Sequence, residues 1–465
     1  MASEPEVVSE RGPHGTPSLK SRAYRAGRWV LIGQIAALVI RLAASLVMTR
    51  LLAPEIFGIL AITTVALHVV SLLADIGLNQ AVVQSPNGES RSFLNTAWTM
   101  QIMRGWMIWG GCVALAAGLH VTSGLGWIPA GSVYAAQTLP AVIIATSFVA
   151  VITGFRSMKA ISATRSLDPK RITLIEVISQ ISMLVVAAPL GWATHSIWSY
   201  VAGGLFSSML ATVLSHVWLR GPRDRIEWDR NAARELMHFG KWVFLSSALG
   251  VLAQNGDRLL LGGWLSATML GYYSIAFNLT SVIEGVGGRL FSGVSMPALS
   301  DIARRQPERV PLIYFRMRWA SDTIFVGTAG FLFASAQSII GLMFDPRYAP
   351  VGPLLQWLSF ALLFARYNLT GAAYLALGRP NYFTPMNITK LISIYALVPL
   401  LYHAFGVQGA IIGIAFHMVP TAFLMFWLNQ RHGLNNIRLE LGALCMWPLG
   451  WFVGSILSAM TNNLK

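Results

Sequence analysis

Thirteen apolar runs, each about as long as a bilayer is thick, fill the sequence from residue 28 almost to its end. A hydrocarbon core of about 30 Å is crossed by about 20 residues of helix, and inside lipid only a helix or a closed barrel satisfies its own backbone hydrogen bonds. The runs are continuous rather than alternating, so they predict helices. The expected spans are 28–50, 57–80, 97–119, 133–154, 172–190, 196–219, 239–262, 268–289, 319–341, 353–376, 385–404, 407–428 and 441–460. Hydrophobic residues make up 55% of the 465 positions and charged ones 11%, which fits an all-α polytopic membrane protein. No soluble catalytic domain fits between the runs. Cys112 and Cys445 both lie in apolar runs, which excludes a disulfide framework.

The net charge of +15 is a matter of topology. With the N-terminus placed in the cytoplasm, 27 of the 34 Lys and Arg fall on cytoplasmic segments, as the positive-inside rule requires. The basic excess therefore predicts contact with anionic membrane lipid and no nucleic-acid partner. Residues 1–27 are polar, lack an apolar core and read as a disordered cytoplasmic tail.

The sequence also matches itself at an offset of 213: Gly27-Arg28-Trp29-Val30 falls on Gly240-Lys241-Trp242-Val243, and Gly58 falls on Gly271. Six spans separate the two copies, so both halves have the same orientation, related by a pseudo-two-fold axis along the membrane normal. The expected organisation is a six-helix lobe over 28–219, a charged cytoplasmic linker over 220–238, a second six-helix lobe over 239–428, and an extension over 429–465. The extension either crosses as a thirteenth span or leaves a core of twelve.

Four arginines lie within the runs: Arg41, Arg104, Arg258 and Arg366. An intramembrane charge costs at least about 2.5–3.5 kcal/mol and persists where it meets water, a partner or a substrate. Guanidinium donates two parallel hydrogen bonds to phosphate oxygens, so these four are candidates for binding a diphosphate. The alternative is a buried ion pair holding helices together. Among the acids, Asp75, Asp257 and Glu284 are either partners for the arginines or sites that exchange H⁺ or bind Na⁺ to couple transport to a gradient.

Leu51-Leu-Ala-Pro-Glu-Ile-Phe-Gly58, Ala74-Asp-Ile-Gly-Leu-Asn-Gln-Ala-Val-Val-Gln84, Leu94-Asn-Thr-Ala-Trp98, Pro297-Ala-Leu-Ser300 with Pro307-Glu-Arg309, Tyr348-Ala-Pro350 and Gly378-Arg-Pro380 together resemble Wzx-type oligosaccharide flippases of the multidrug/oligosaccharidyl-lipid/polysaccharide exporter superfamily. The resemblance implies two six-helix lobes around a central cavity. It also implies transfer of undecaprenyl-pyrophosphate-linked sugar repeat units from the inner to the outer leaflet of a bacterial inner membrane, by alternating access. The product would serve exopolysaccharide or O-antigen-type synthesis, with the polymerase and export machinery as partners. A cation-coupled drug antiporter of the same superfamily is the competing reading, which the arginines disfavour. No Gly-x-x-x-x-Gly-Lys, Asp-x-Asp, His-Glu-x-x-His or Cys-x-x-Cys occurs, so neither an enzyme nor a cofactor is expected.

Overall fold

The computed structural model describes residues 19–463 apart from 74–77, 79–81, 83–84, 86–89 and 166–169. Within helices it describes the backbone alone at 19–28, 30–31, 73, 162, 164–165, 238–249, 289–290, 292–294 and 462. The described residues are helical throughout: α1 (Leu19–Leu51), α2 (Pro54–Leu73), α3 (Arg91–Gly124), α4 (Leu139–Gly154), α5 (Lys159–Arg165), α6 (Lys170–Thr194), α7 (Ile197–Val217), α8 (Arg230–Trp264), α9 (Ala267–Arg305), α10 (Val310–Met343), α11 (Val351–Leu358), α12 (Leu362–Ala365), α13 (Asn368–Ala376), α14 (Phe383–Phe416), α15 (Val419–Gln430), α16 (Ile437–Leu444) and α17 (Met446–Asn462).

Eight helical stretches among the described residues are long and apolar enough to cross a bilayer, against the thirteen expected. The expected spans 239–262 and 268–289 lie in α8 and α9, which are long but too polar, with Asn255, Asp257 and Arg258 on one and Asn278 and Glu284 on the other, and the other three differences have local causes. Helix α4 is apolar but only 16 residues long. The run at 353–376 is cut into α11, α12 and α13 by a 3₁₀ turn at Ser359–Ala361 and a break at Arg366 and Tyr367. One 51-residue stretch, Pro380–Gln430, contains a reversal. At Gly406 (φ 64°, ψ −146°) α14 turns back on itself, so that Gly409 packs on the backbone of Leu401 and Gly413 on that of Val398. A positive φ with a close return of the chain is where glycine is needed. The expected spans 385–404 and 407–428 meet at this reversal.

The chain forms two compact units, one of 1–48, 74–111 and 145–244, the other of 49–73, 112–144 and 245–465. In the first, α6 and α7 form an antiparallel pair in which Gly203 packs against Ala187 and the Met183 carbonyl, and the Ser207 hydroxyl donates to the Ser179 carbonyl at 2.6 Å. Small residues of this kind let membrane helices approach closely. The charged segment 220–229 lies along α3. The Asn95 amide donates to Glu227 at 2.7 Å and its carbonyl accepts from the Arg225 N–H at 3.1 Å, while the Thr96 hydroxyl accepts from the Asp229 N–H at 3.0 Å. Asp224 accepts from the Ser157 hydroxyl at 2.5 Å and from the Met158 N–H at 3.2 Å. Asn95 and Thr96 belong to the Leu94–Trp98 motif, and their structural use is to hold this linker.

The second unit joins helix ends from both halves of the sequence. Helices α2 and α9 cross where Gly58 meets the Ala267 carbonyl and Gly271 meets the Pro54 carbonyl. The Tyr348 hydroxyl donates to the Leu52 carbonyl at 2.7 Å, and the Arg347 guanidinium to the Arg50 carbonyl at 3.1 Å. The Val133 N–H donates to the Leu265 carbonyl at 3.0 Å, and the Tyr134 hydroxyl to the Leu259 carbonyl at 2.8 Å. Helix α17 runs along α10, with Gly330 against the Trp447 carbonyl, Gly450 against the Gly327 carbonyl and Gly454 against the Phe331 carbonyl. The extension is thereby packed tightly against a core helix.

Candidate functional site

Two polar clusters lie inside the second unit. The larger is built on α10, which begins at Val310 and so carries Arg318 and Asp322 one turn apart on one face. Arg318 Nε donates to Asp322 Oδ1 at 2.7 Å and Arg318 Nη2 to Glu440 Oε1 at 3.0 Å. Arg366, at the break between α12 and α13, pairs with Glu440 Oε2 at 2.8 Å and lies 3.6 Å from Asp322 Oδ2. Two cations and two anions thus alternate around a closed ring. Arg318 Nη1 also donates to the Tyr314 hydroxyl at 3.0 Å, which is bonded to the Thr370 hydroxyl at 2.8 Å. The Tyr367 ring lies under both guanidinium groups, 4.3 Å from Arg318 and 5.1 Å from Arg366. Glu440 reaches the ring from the first turn of α16, whose N-cap Asn436 accepts from the Leu439 N–H. An acid in the first helical turn is also favoured by the helix dipole.

Charges this deep require compensation, since desolvation of an unpaired ion in a low-dielectric interior costs several kcal/mol. Arg318 is 2% and Asp322 0% exposed. The charge count treats Arg318 as a loop residue; the structure corrects this, because α10 starts eight residues earlier and buries it.

The second cluster lies on α8 and α9. The Tyr273 hydroxyl donates to Asp257 Oδ2. Asp257 is 2% exposed, and its other oxygen has no hydrogen-bond partner among the described residues. Arg258 follows directly and points elsewhere, since adjacent helical residues do not share a face. Its guanidinium lies 4.4 Å above the Phe277 ring and is half-buried. Among the described residues no carboxylate pairs with it, and its Nε has no hydrogen-bond partner. A half-buried guanidinium with an aromatic floor and no carboxylate partner among the described residues can receive an anion.

The remaining expected residues are distributed as follows. Arg41 is exposed on α1, and Arg104 is half-buried on α3; both belong to the first unit. Glu284 is exposed on α9, where it accepts from the Asn368 amide at 3.5 Å. Asp75 lies outside the described residues. Arg318 and Glu440 are the participants that the sequence does not single out, whereas Asp322 falls within the expected span 319–341 as an intramembrane acid. The i, i+4 spacing of Arg318 and Asp322 is a readable signal, whereas Glu440 reaches them from 118 residues beyond Asp322 and has none.

The family model described as polysaccharide biosynthesis protein matches residues 47–353. An uncharacterized membrane protein in the cps region of Klebsiella pneumoniae is 23% identical over 431 residues, covering 91% of this chain and 85% of its own. The lipopolysaccharide biosynthesis protein WzxC of Escherichia coli is 21% identical over 428 residues, covering 90% and 83%. Among solved structures, the lipid II flippase MurJ in an inward closed conformation aligns with TM-score 0.66 at 12% identity, over 93% of this chain and 97% of that one. An inward-facing multidrug resistance MATE family transporter of the MOP superfamily aligns with TM-score 0.63 at 14% identity, over 85% and 94%. These likenesses identify the fold as the two-lobed helical fold of that superfamily, as the sequence resemblance implies.

Proposed function

The chain belongs to the polysaccharide biosynthesis protein family, and from that premise we propose that this multi-pass membrane protein is a flippase for lipid-linked oligosaccharides. It moves undecaprenyl-pyrophosphate-linked repeat units from the inner to the outer leaflet of a bacterial inner membrane, with its N-terminus in the cytoplasm. The substrate's diphosphate is drawn to membrane arginines, and alternating access of the two lobes exposes the sugars on the other side. Polymerase and export machinery take up the product.

The observation that carries this reading is Arg258, a half-buried guanidinium in an apolar helix with no carboxylate partner among the described residues. Arg41 and Arg104, which belong to the first unit, are further candidates for binding a diphosphate. Arg366 differs, because Asp322 and Glu440 already answer its charge. A diphosphate reaching Arg366 would have to displace Glu440, so its part in binding is tied to movement of α16. Asp257, with one free carboxylate oxygen and a Tyr273 hydroxyl on the other, is the acid best placed to exchange H⁺ or hold Na⁺. Glu284 and Asp75 are the further candidates for coupling.

The test is complementation of a flippase-deficient bacterium that makes this protein's own repeat unit. Wild type should restore surface polymer. Arg258→Ala at equal membrane abundance should lose polymer and accumulate lipid-linked repeat units. Arg258→Ala behaving as wild type would remove anion capture at this residue, and failure of wild type would overturn the flippase reading.

A further inference from the structure

Two glycine turns meet at one surface of the second unit. Gly378 (φ 68°) closes α13, with the Arg379 N–H donating to the Tyr374 carbonyl at 2.8 Å. Gly433 (φ 64°) closes α15, with the Leu434 N–H donating to the Asn429 carbonyl at 3.0 Å. Both are the left-handed caps that glycine supplies at helix ends. The turns are locked together at two levels. The Tyr374 hydroxyl donates to Asn429 Oδ1 at 2.7 Å, and the Tyr382 hydroxyl is bonded to His432 Nε2 at 3.1 Å. Between these bonds the Tyr374 and Tyr382 rings pack edge to face, 5.1 Å apart. The apolar stretch Pro380–Gln430 starts at one turn and, after its reversal at Gly406, ends at the other. The paired turns therefore mark the place where an apolar hairpin meets the membrane surface.

The turns carry donors and no acid. Arg379 stands on one and Arg431 on the other, and both are exposed. The Arg431 guanidinium lies 4.1 Å above the Trp427 ring. Among the described residues neither arginine has a carboxylate partner or a side-chain hydrogen bond. Burial and the guanidinium groups of Arg379 and Arg431 hold the half-buried His432 below the usual histidine range, and no described carboxylate opposes them. Whichever of Tyr382 and His432 donates in their shared bond, one N–H or O–H of the pair is left over. The glycine caps occupy the Tyr374 and Asn429 carbonyls, and α14 opens at Phe383 beside the Arg379 turn with the positive end of its dipole. We propose that these two turns form a binding site for a phosphomonoester at the membrane surface, held by Arg379 and Arg431 with the Tyr382–His432 pair as a third donor. Guanidinium groups suit phosphate because each donates two parallel hydrogen bonds. A monoester presents three unesterified oxygens to the three donor groups, whereas a diester presents two. The phosphate is the head group of a membrane lipid or a free ion. The site is apart from Arg258, does not rest on the flippase reading, and gives the Gly378-Arg-Pro380 motif a use.

The experiment uses the purified full-length protein in detergent, with phosphatidic acid and phosphatidylglycerol as probes that share their acyl chains and binding read by native mass spectrometry. Wild type should prefer phosphatidic acid by about tenfold, the ratio that one added phosphate contact of about 1.4 kcal/mol supplies. Arg379→Gln and Arg431→Gln, both at exposed positions and on separate turns, should each remove that preference at an unchanged melting temperature. Arg220→Gln, which removes an exposed charge in the first unit, should leave it intact. Excess inorganic phosphate separates the two sources: displacement of phosphatidic acid that depends on both arginines identifies the free ion, and retention identifies the lipid head group. Equal binding of the two lipids by wild type, a preference that survives both arginine substitutions, or an equal loss in Arg220→Gln would overturn the proposal.

Discussion

Gly58 on α2 and Gly271 on α9 stand 213 residues apart in the sequence and touch in the fold. A Cβ on Gly58 would run into the Ala267 carbonyl, and one on Gly271 into the Pro54 carbonyl. Pro54 and Ala267 are separated by the same 213 residues. The contact is therefore reciprocal, as contacts across a two-fold axis are, and the internal repeat is visible at a single helix crossing. Around it lie Leu52, bonded by Tyr348, and Phe57, whose ring meets that of Tyr348 edge-on at 6.2 Å. The Leu51–Gly58 and Tyr348–Pro350 motifs thus belong to one packed contact.

Substitution at this crossing should force the two helices apart. Gly58→Ala and Gly271→Ala should each cost about 1–3 kcal/mol, the range of overpacking. The double variant should cost less than the sum, because one widened crossing relieves both clashes. Thermal unfolding of the purified proteins in detergent measures all three.

The ring of Arg318, Asp322, Arg366 and Glu440 should fail as a unit. Asp322→Asn leaves two buried guanidinium groups sharing one carboxylate and should destabilise the protein by about 3–5 kcal/mol. Arg366→Met alone should be strongly destabilising, and adding Glu440→Gln should return part of the loss. A double-mutant cycle on thermal stability reads this coupling.

Docking of the C-terminal extension depends on glycine contacts between α10 and α17. Gly330→Val should push against the Trp447 carbonyl, and Gly450→Val against the Gly327 carbonyl. Either change should speed tryptic cleavage at Arg431, in the segment joining α15 to α16, and at Arg438, in the first turn of α16, both of which are exposed. Cleavage at wild-type rates would mean that the extension is held by other contacts.

At Gly406 no atom lies within 4 Å of an added Cβ, so only the backbone opposes substitution. Gly406→Ala should cost about 1–3 kcal/mol, because φ 64°, ψ −146° is a conformation open essentially to glycine alone. Gly406→Asn should cost about as much, because the tolerance of Asn for positive φ is confined to the left-handed helical region and ψ here is −146°. Comparing the two in thermal unfolding distinguishes backbone strain from crowding.

Much of the fold is legible in the sequence because lipid enforces one structural solution on long apolar runs. The predicted boundary between 404 and 407 falls on the Gly406 reversal, and the Gly58/Gly271 match falls on a real contact. Less is legible where a run is internally broken. Hydropathy reads 353–376 as one span, but the helix is interrupted by a turn at Arg366 and Tyr367, and the Arg366 guanidinium pairs with Asp322 and Glu440. The candidate site is legible as a set of charges and not as their pairing. Arg258 and Arg366 look alike in sequence, yet one lies over Phe277 without a carboxylate and the other sits in a closed ring. That difference depends on Glu440, which packing of α16 brings in from far along the chain.

The most direct test is transbilayer movement in liposomes. The purified protein would be reconstituted with undecaprenyl-pyrophosphate-linked repeat units, and their exposure on the far leaflet followed with a membrane-impermeant glycan-cleaving or lectin probe. The account predicts movement with wild type and at least a tenfold slower rate with Arg258→Ala, the loss expected if one phosphate contact of about 1.4 kcal/mol is removed. Wild-type liposomes no faster than protein-free ones, with the protein shown to be folded, would contradict it.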